Sequence, residues 1–156
     1  MATFEEIKVQ SGAFRQIDLS KDLMKNQSMY FYIGSVQQKT SQSYGDFLVL
    51  EGVELDAASN TAEDMINKGD GASFVANTLI KNLLETGSIT EGKTYRIVKK
   101  WSRGDEFENG KQAKGHGYEF YEQKLSLDQT TKLHNIYTKT KSGEIRADNT
   151  SPKETL

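Results

Sequence analysis

The sequence predicts a mainly β domain of the α+β class, with one or two helices between its strands. Segments in which apolar and polar residues alternate occupy the first and last thirds of the 156-residue chain. Such alternation is typical of strands with one buried face. In the middle third, apolar residues recur three and four positions apart, which indicates a helix. A chain of this length is predicted to bury one core of its own.

The first third is predicted to form strands. They cover residues 4–9, 14–20, 29–36 and 46–55. In the third of them, apolar residues alternate with Tyr30, Tyr32 and Gly34, whereas the fourth is apolar enough to be covered on both faces. Residues 35–45 are polar and predict a hairpin connection. Gly34 and Gly52 lie inside strands, where glycine marks a bulge or a bend.

The middle third is predicted to be helical. A first helix begins after the capping residues Ser59, Asn60 and Thr61 and breaks at the glycines of residues 69–71. A second helix is predicted over residues 73–86, because its apolar side chains form one stripe. Gly87 then ends it.

Strands return in the last third. Residues 92–101 and 118–125 are predicted strands joined by a loop, and residues 132–140 are predicted to be an edge strand. The segment from residue 141 has little apolar content and contains the chain's one proline. The predicted organisation is therefore one domain over residues 1–140 with a flexible tail over residues 141–156.

Without the short, weak strand over residues 4–9 and the edge strand over residues 132–140, and with the helical middle third counted as one, the order is strand, strand, strand, helix, strand, strand. This is the order of the five-stranded Greek-key barrel known as the OB-fold, in which a helix follows the third strand. A generic α+β sheet with the same element order is the alternative.

Composition excludes several classes of function. With 20 Lys and Arg against 22 Asp and Glu, the chain has no overall attraction for nucleic acid, so such binding requires a local patch. There is no cysteine, and the two histidines stand apart, so we predict no metal site and no cofactor. No nucleophile has a base beside it, and we predict that the protein is not an enzyme. The N-terminus lacks a secretory signal and no apolar run could span a bilayer, which predicts a cytoplasmic protein without a membrane partner.

Residues 32–125 resemble single-stranded DNA-binding proteins of bacteriophages. The similar segments are "YIGSVQQKTSQSYGDFLVLEG", "SFVANTLIKNLLETGSI", "EGKTYRIVKKWSRG" and "GYEFYEQKL". The resemblance implies an OB-type β-barrel that binds single-stranded DNA without sequence preference, in DNA replication or recombination in the host cytoplasm. One feature of many such proteins is missing: residues 126–156 hold five Lys and Arg and four Asp and Glu, so there is no acidic tail that recruits partners.

The stretch "TYRIVKKWSRG", which begins at Thr94, carries the predicted site. Cations that follow the phosphates and aromatic rings that stack on bases are what single-strand binding requires. Two lysines of the following loop and two tyrosines of an earlier strand complete the set. The predicted nucleic-acid-binding residues are Tyr30, Tyr32, Arg96, Lys99, Lys100, Trp101, Arg103, Lys111 and Lys114.

Each part of this site has an alternative interpretation. Strand alternation puts Arg96 and Lys100 on the face opposite Lys99 and Trp101, so a bulge is needed to bring all the cations and Trp101 together. Without the bulge, Trp101 is a core residue. The tyrosines could pack against a neighbouring strand, and the cations could form a solvated face.

Alternative functions also stay open. The first is a non-enzymatic phage structural, accessory or host-interaction protein built on the same sheet. A small-ligand-binding barrel is the other. DNA or RNA as the ligand, and a homo-oligomer, also stay open.

Overall fold

The computed structural model describes residues 14–43 and 45–145 of the chain. These residues form six strands and four helices. The strands are β1 (Arg15–Ile17), β2 (Ser28–Ser41), β3 (Gly45–Glu54), β4 (Asp70–Val75), β5 (Thr94–Trp101) and β6 (Gly117–Gln123). The helices are α1 (Leu19–Asp22), α2 (Ala62–Asn67), α3 (Thr78–Glu85) and α4 (Leu127–Ser142).

The strands form one curled, open sheet with the order β1-β4-β3-β2-β5-β6. Neighbouring strands are antiparallel, except that β1 runs parallel to β4. The mainly β class is therefore confirmed, but the described residues hold four helices where one or two were predicted. The closed five-stranded barrel is wrong, because within the described residues β6 pairs with β5 alone and the sheet ends there. What forms is half of a barrel.

Both faces of the sheet bury apolar side chains. One face packs Phe31, Leu50 and Ile97 with Ile80 of α3, all fully buried. The other face packs Val53 of β3 and Tyr32 of β2 with side chains of α2 and α4. Directly opposed residues of an antiparallel pair share a face. Tyr32 lies opposite Thr94 of β5, which lies opposite Gln123 of β6, so the α4 face also carries every second residue of β5 and β6 counted from these two.

Helix α4 approaches the sheet closely where two strands carry glycine. A side-chain carbon at Gly34 of β2 would overlap the ring of Tyr137, and one at Gly71 of β4 would overlap Thr140. Gly34 also lies at the register shift between Ile33 and Ser35, which confirms the bulge predicted there. The glycine therefore both bends β2 and admits the helix.

The edge strand predicted over residues 132–140 is wrong, because these residues belong to α4. The helix begins with a capping box in which the Ser126 side chain accepts from the Gln129 backbone N–H and the Gln129 side chain accepts from that of Ser126. Its buried residues, Leu133, Tyr137 and Thr140, follow helical spacing. The surrounding threonines resemble a strand locally, and packing on the sheet overrides that preference.

Three other predicted boundaries move. The helix predicted over residues 73–86 begins only at Thr78, after Asn77 caps it, because the residues up to Val75 pair with β3 as β4. Strand β2 continues to Ser41 through the predicted polar connection. The strand predicted over residues 14–20 ends at Ile17, because Asp18 caps α1.

Two predictions fall beyond the described residues. The strand over residues 4–9 lies outside them, as does the part of the predicted tail from residue 146 onward. The domain itself extends past the predicted boundary at residue 140, because α4 continues to Ser142. Across residues 14–43 and 45–145, none of the helices has both the length and the apolar character that crossing a bilayer requires.

Candidate functional site

A row of three side chains crosses the middle of three neighbouring strands. Arg96 of β5 lies directly opposite Tyr30 of β2 on one side and Tyr121 of β6 on the other. Directly opposed residues project to the same face, with Cβ atoms about 4.5–5.5 Å apart. The Arg96 guanidinium carbon lies 4.6 Å from the centre of the Tyr121 ring, a cation–π contact. Tyr30 is half-buried, whereas Tyr121 is 42% exposed.

A bulge in β5 brings Trp101 to this face. The pairing passes from Lys99 opposite Tyr118 to Trp101 opposite Gly117, so Lys100 is the extra residue. Gly117 shares the face of Tyr121, and a side-chain carbon on Gly117 would overlap the Trp101 indole. The indole therefore lies across β6 on the α4 face. We call Tyr30, Arg96, Lys100, Trp101 and Tyr121 the basic-aromatic face.

The segment between β5 and β6 is an ordered hairpin that packs on Trp101. Glu106 pairs with Gln112, and the Phe107 backbone N–H donates to the Lys111 carbonyl at 2.8 Å. The Phe107 ring stands edge-to-face with the Trp101 indole, with centres 5.6 Å apart. Phe107 is 40% exposed and Trp101 is half-buried. Trp101 is thus partly exposed, with the Phe107 ring of the hairpin packed against its indole.

Two predicted site residues, Tyr32 and Lys99, are not on the surface. Tyr32 is 2% exposed, and its hydroxyl lies 2.8 Å from Nδ1 of His134 on α4. Burial raises the pKa of the Tyr32 phenol. Lys99 is 3% exposed and its ammonium donates to the Ser20 carbonyl at 2.9 Å. The bulge follows Lys99, so this side chain stays on the α3 face of the sheet.

The remaining predicted cations surround the hairpin. Arg103, Lys111 and Lys114 are exposed, as are Glu106 and Glu108 beside them. The Lys111 carbonyl accepts the Phe107 backbone N–H, which joins Lys111 to the ring that packs on Trp101, whereas Lys114 follows Ala113, whose backbone bonds to Gly104 and Asp105.

Two acids limit the positive charge of this region. Asp105 accepts the Ser102 backbone N–H at 2.8 Å and binds the ammonium of Lys25 at 3.1 Å, and these two bonds, the first above all, lower the pKa of its carboxyl. Glu119 lies on the basic-aromatic side of β6 and accepts a hydrogen bond from the Tyr121 hydroxyl, which raises the pKa of that phenol. The surface is therefore cationic at Arg96 and Lys100 and acidic at Glu119.

Sequence reasoning did not select Tyr121 and Phe107 as site residues. Tyr121 shares one face of β6 with the polar residues Glu119 and Gln123, which is typical of an exposed strand face, and that pattern was a usable signal. Its position beside Arg96 depends on the register of β5 and β6. Phe107 had no such signal, because only the fold of the hairpin brings it to Trp101.

Among the residues that the structure describes, no group of three or more His, Asp or Glu side chains could hold a metal ion. Comparison of the chain with protein-family models, with curated proteins and with solved structures finds no match.

Proposed function

We propose that this protein binds single-stranded nucleic acid, without sequence preference, on the basic-aromatic face. One observation carries the proposal: Arg96 lies between Tyr30 and Tyr121 on the face to which the bulge brings Trp101. Stacking platforms and cations on one strand surface are the two components that sequence-independent binding needs. The resemblance of the same strands to phage single-stranded DNA-binding proteins supports the same function, in phage DNA replication or recombination.

The spacing of the two cations and their neighbouring rings suits an extended strand of nucleic acid. Arg96 and Lys100 are four residues apart on β5, or about 13 Å at about 3.3 Å per residue. Each cation has an aromatic side chain beside it, Tyr121 next to Arg96 and Trp101 next to Lys100. The cations would neutralise phosphates, while bases stack on the rings for roughly 1–3 kcal/mol each. None of these contacts reads base identity, so the binding is independent of sequence.

A titration of a labelled oligo-dT strand at several salt concentrations tests the proposal. If Arg96 and Lys100 each neutralise one phosphate, log K should fall with log salt with a slope near −1.4, or about −0.7 per phosphate. Lys100→Ala should reduce the slope by about 0.7. Lys81→Ala, an exposed lysine of α3, is the matched control and should leave the slope unchanged.

Two further variants separate stacking from charge. Tyr121→Ala should weaken binding by roughly 1–3 kcal/mol with little change in the salt slope. Glu119→Gln should tighten binding, because a carboxylate is removed from the phosphate path, whereas Glu85→Gln on α3 should not. Duplex DNA should bind more weakly than the single strand, because its bases are already stacked. Oligo-U in place of oligo-dT compares RNA with DNA.

The outcomes have definite meanings. No binding of oligo-dT at low salt would overturn the proposal and favour the phage structural or host-interaction role. Equal affinity for duplex and single strand would remove stacking from the mechanism. Binding that is unaffected by Lys100→Ala and Tyr121→Ala would place the nucleic acid elsewhere on the protein.

A further inference from the structure

The sheet ends in a long strand with an open edge. Strand β6 has seven residues, and nothing within the described residues pairs with its outer side. The opposite edge strand, β1, has three. Natural edge strands are usually blunted by charged side chains, lysine above all, by proline or by their own short length. The sequence of β6, "GYEFYEQ", contains neither lysine nor proline, and its two charged residues are Glu119 and Glu122. Strand β6 can therefore accept a further strand.

An apolar groove lies beside this edge, on the α3 face. It has a volume of about 470 Å³ and runs between α3 and β6. Leu79 and Leu83 of α3 line one side, and Tyr118 and Phe120 of β6 line the other. A strand added to β6 would direct alternate side chains toward this groove. Main-chain pairing combined with a side-chain groove is the arrangement of β-strand addition.

We propose that the added strand is β6 of a second copy of this chain, paired antiparallel about a two-fold axis at Phe120. A two-fold axis perpendicular to the sheet keeps the α3 faces of the two copies on the same side. Because directly opposed residues share a face, the axis must then lie between the two copies of one residue. With Phe120 on the axis, all seven residues of β6 pair. Gly117 lies opposite Gln123, Tyr118 opposite Glu122, and Glu119 opposite Tyr121 of the second copy.

The charges of β6 select this register. An axis at Glu119 or at Glu122 would oppose two identical carboxylates, which is destabilising. An axis at Tyr121 avoids that contact but pairs only five residues. In the Phe120 register, each glutamate faces a tyrosine of the second copy. The Tyr121 hydroxyl, which donates to Glu119 of its own strand, then has Glu119 of the second copy opposite it.

The two-fold pairing makes the sheets of two copies continuous. It does not rest on the proposed nucleic-acid binding, and it is measured on the full chain without nucleic acid. Sedimentation equilibrium should give a mass near twice the 17.5 kDa of one chain. A mass of one chain, even at the highest soluble concentration, would overturn the proposal.

Charge variants test the register. Tyr121→Glu places a carboxylate opposite Glu119 of the second copy, and symmetry repeats this contact once. The dissociation constant of the dimer should therefore rise by about tenfold. Adding Glu119→Lys to this variant opposes lysine to glutamate and should restore the dimer. Asn135→Glu, on the exposed side of α4, adds the same charge as the control and should have no effect. Positions 119 and 121 are exposed, so the fold should survive. Failure of the double variant to restore the dimer would overturn this register.

Crosslinking gives a second, independent test, because the chain has no cysteine. With Phe120 on the axis, Phe120→Cys places the two thiols at directly opposed positions, within the Cα separation that a disulfide allows. Tyr121→Cys places its thiols about 8 Å apart by Cα, beyond that limit. Oxidation should therefore give a covalent dimer for Phe120→Cys alone. A covalent dimer of Tyr121→Cys alone would show the axis at Tyr121 and overturn the proposed register.

Discussion

The contact between Trp101 and Gly117 supports the basic-aromatic face, and Gly117→Ala tests it. Gly117 does not have a positive φ, so alanine suits its backbone. The new methyl carbon, however, would overlap Cε2, Cζ2 and Cδ2 of the Trp101 indole. The indole must therefore move away from β6. Its edge-to-face contact with Phe107, at 5.6 Å, then changes as well.

The size of the effect follows from these contacts. Forcing an added carbon into a packed site costs about 1–3 kcal/mol. An edge-to-face aromatic pair contributes about 0.5–1.5 kcal/mol beyond its buried area. Loss of the Trp101–Phe107 pair is therefore already included in the cost of about 1–3 kcal/mol. For a domain of this size, each kcal/mol lowers Tm by about 2–4 °C. Gly117→Ala should therefore lower Tm by about 2–12 °C.

Thermal melts of a double-mutant cycle measure this contact directly. In a Trp101→Ala background no indole remains to be displaced, so Gly117→Ala should be neutral or stabilise the protein by about 0.4–1 kcal/mol. The coupling energy should then be about 1–4 kcal/mol. Trp101 is the only tryptophan, so a shift in its fluorescence should accompany Gly117→Ala. An equal cost of Gly117→Ala in both backgrounds would refute the placement of the indole on β6.

Two other predictions concern stability. Ile80→Ala should lower the free energy of unfolding by about 2–5 kcal/mol in a chemical melt, because Ile80 is fully buried under the sheet. Lys81→Ala, on the exposed side of α3, should change it by about 0.5 kcal/mol or less. Similar costs for the two variants would contradict the orientation of α3. The pKa of Asp105 is held below its ordinary value of 3.8 by the Ser102 N–H and by Lys25, so its stabilising effect is present above that pH and is lost as pH falls through the lowered pKa. The melting temperature of Asp105→Asn should therefore be lower than that of the wild type at neutral pH and converge with it in acid; a pH-independent gap would contradict the assignment.

Much of the fold follows from local sequence. Alternation in "MYFYIGSV" and "DFLVLEGV" is enough to predict β2 and β3, because half-buried strands impose a period of two. Gly34 marks the bulge in β2, as predicted, whereas Gly52, selected by the same rule, keeps regular pairing with β4. The same local reasoning failed for α4, whose threonines favour a strand. The Ser126–Gln129 capping box was present in the sequence and was the better indicator.

The candidate site divides in the same way. The sequence by itself put a cationic strand with one tryptophan beside aromatic strands, and it showed that only a bulge could unite Trp101 with Arg96 and Lys100. It could not show that the bulge follows Lys99, because a register depends on the pairing of β5 with β6. The tertiary structure decided that Lys99 and Tyr32 are buried, since their surroundings come from α1 and α4. It also decided that the sheet stays open at β6, because closure depends on how distant strands curve and meet, and no local pattern encodes that geometry.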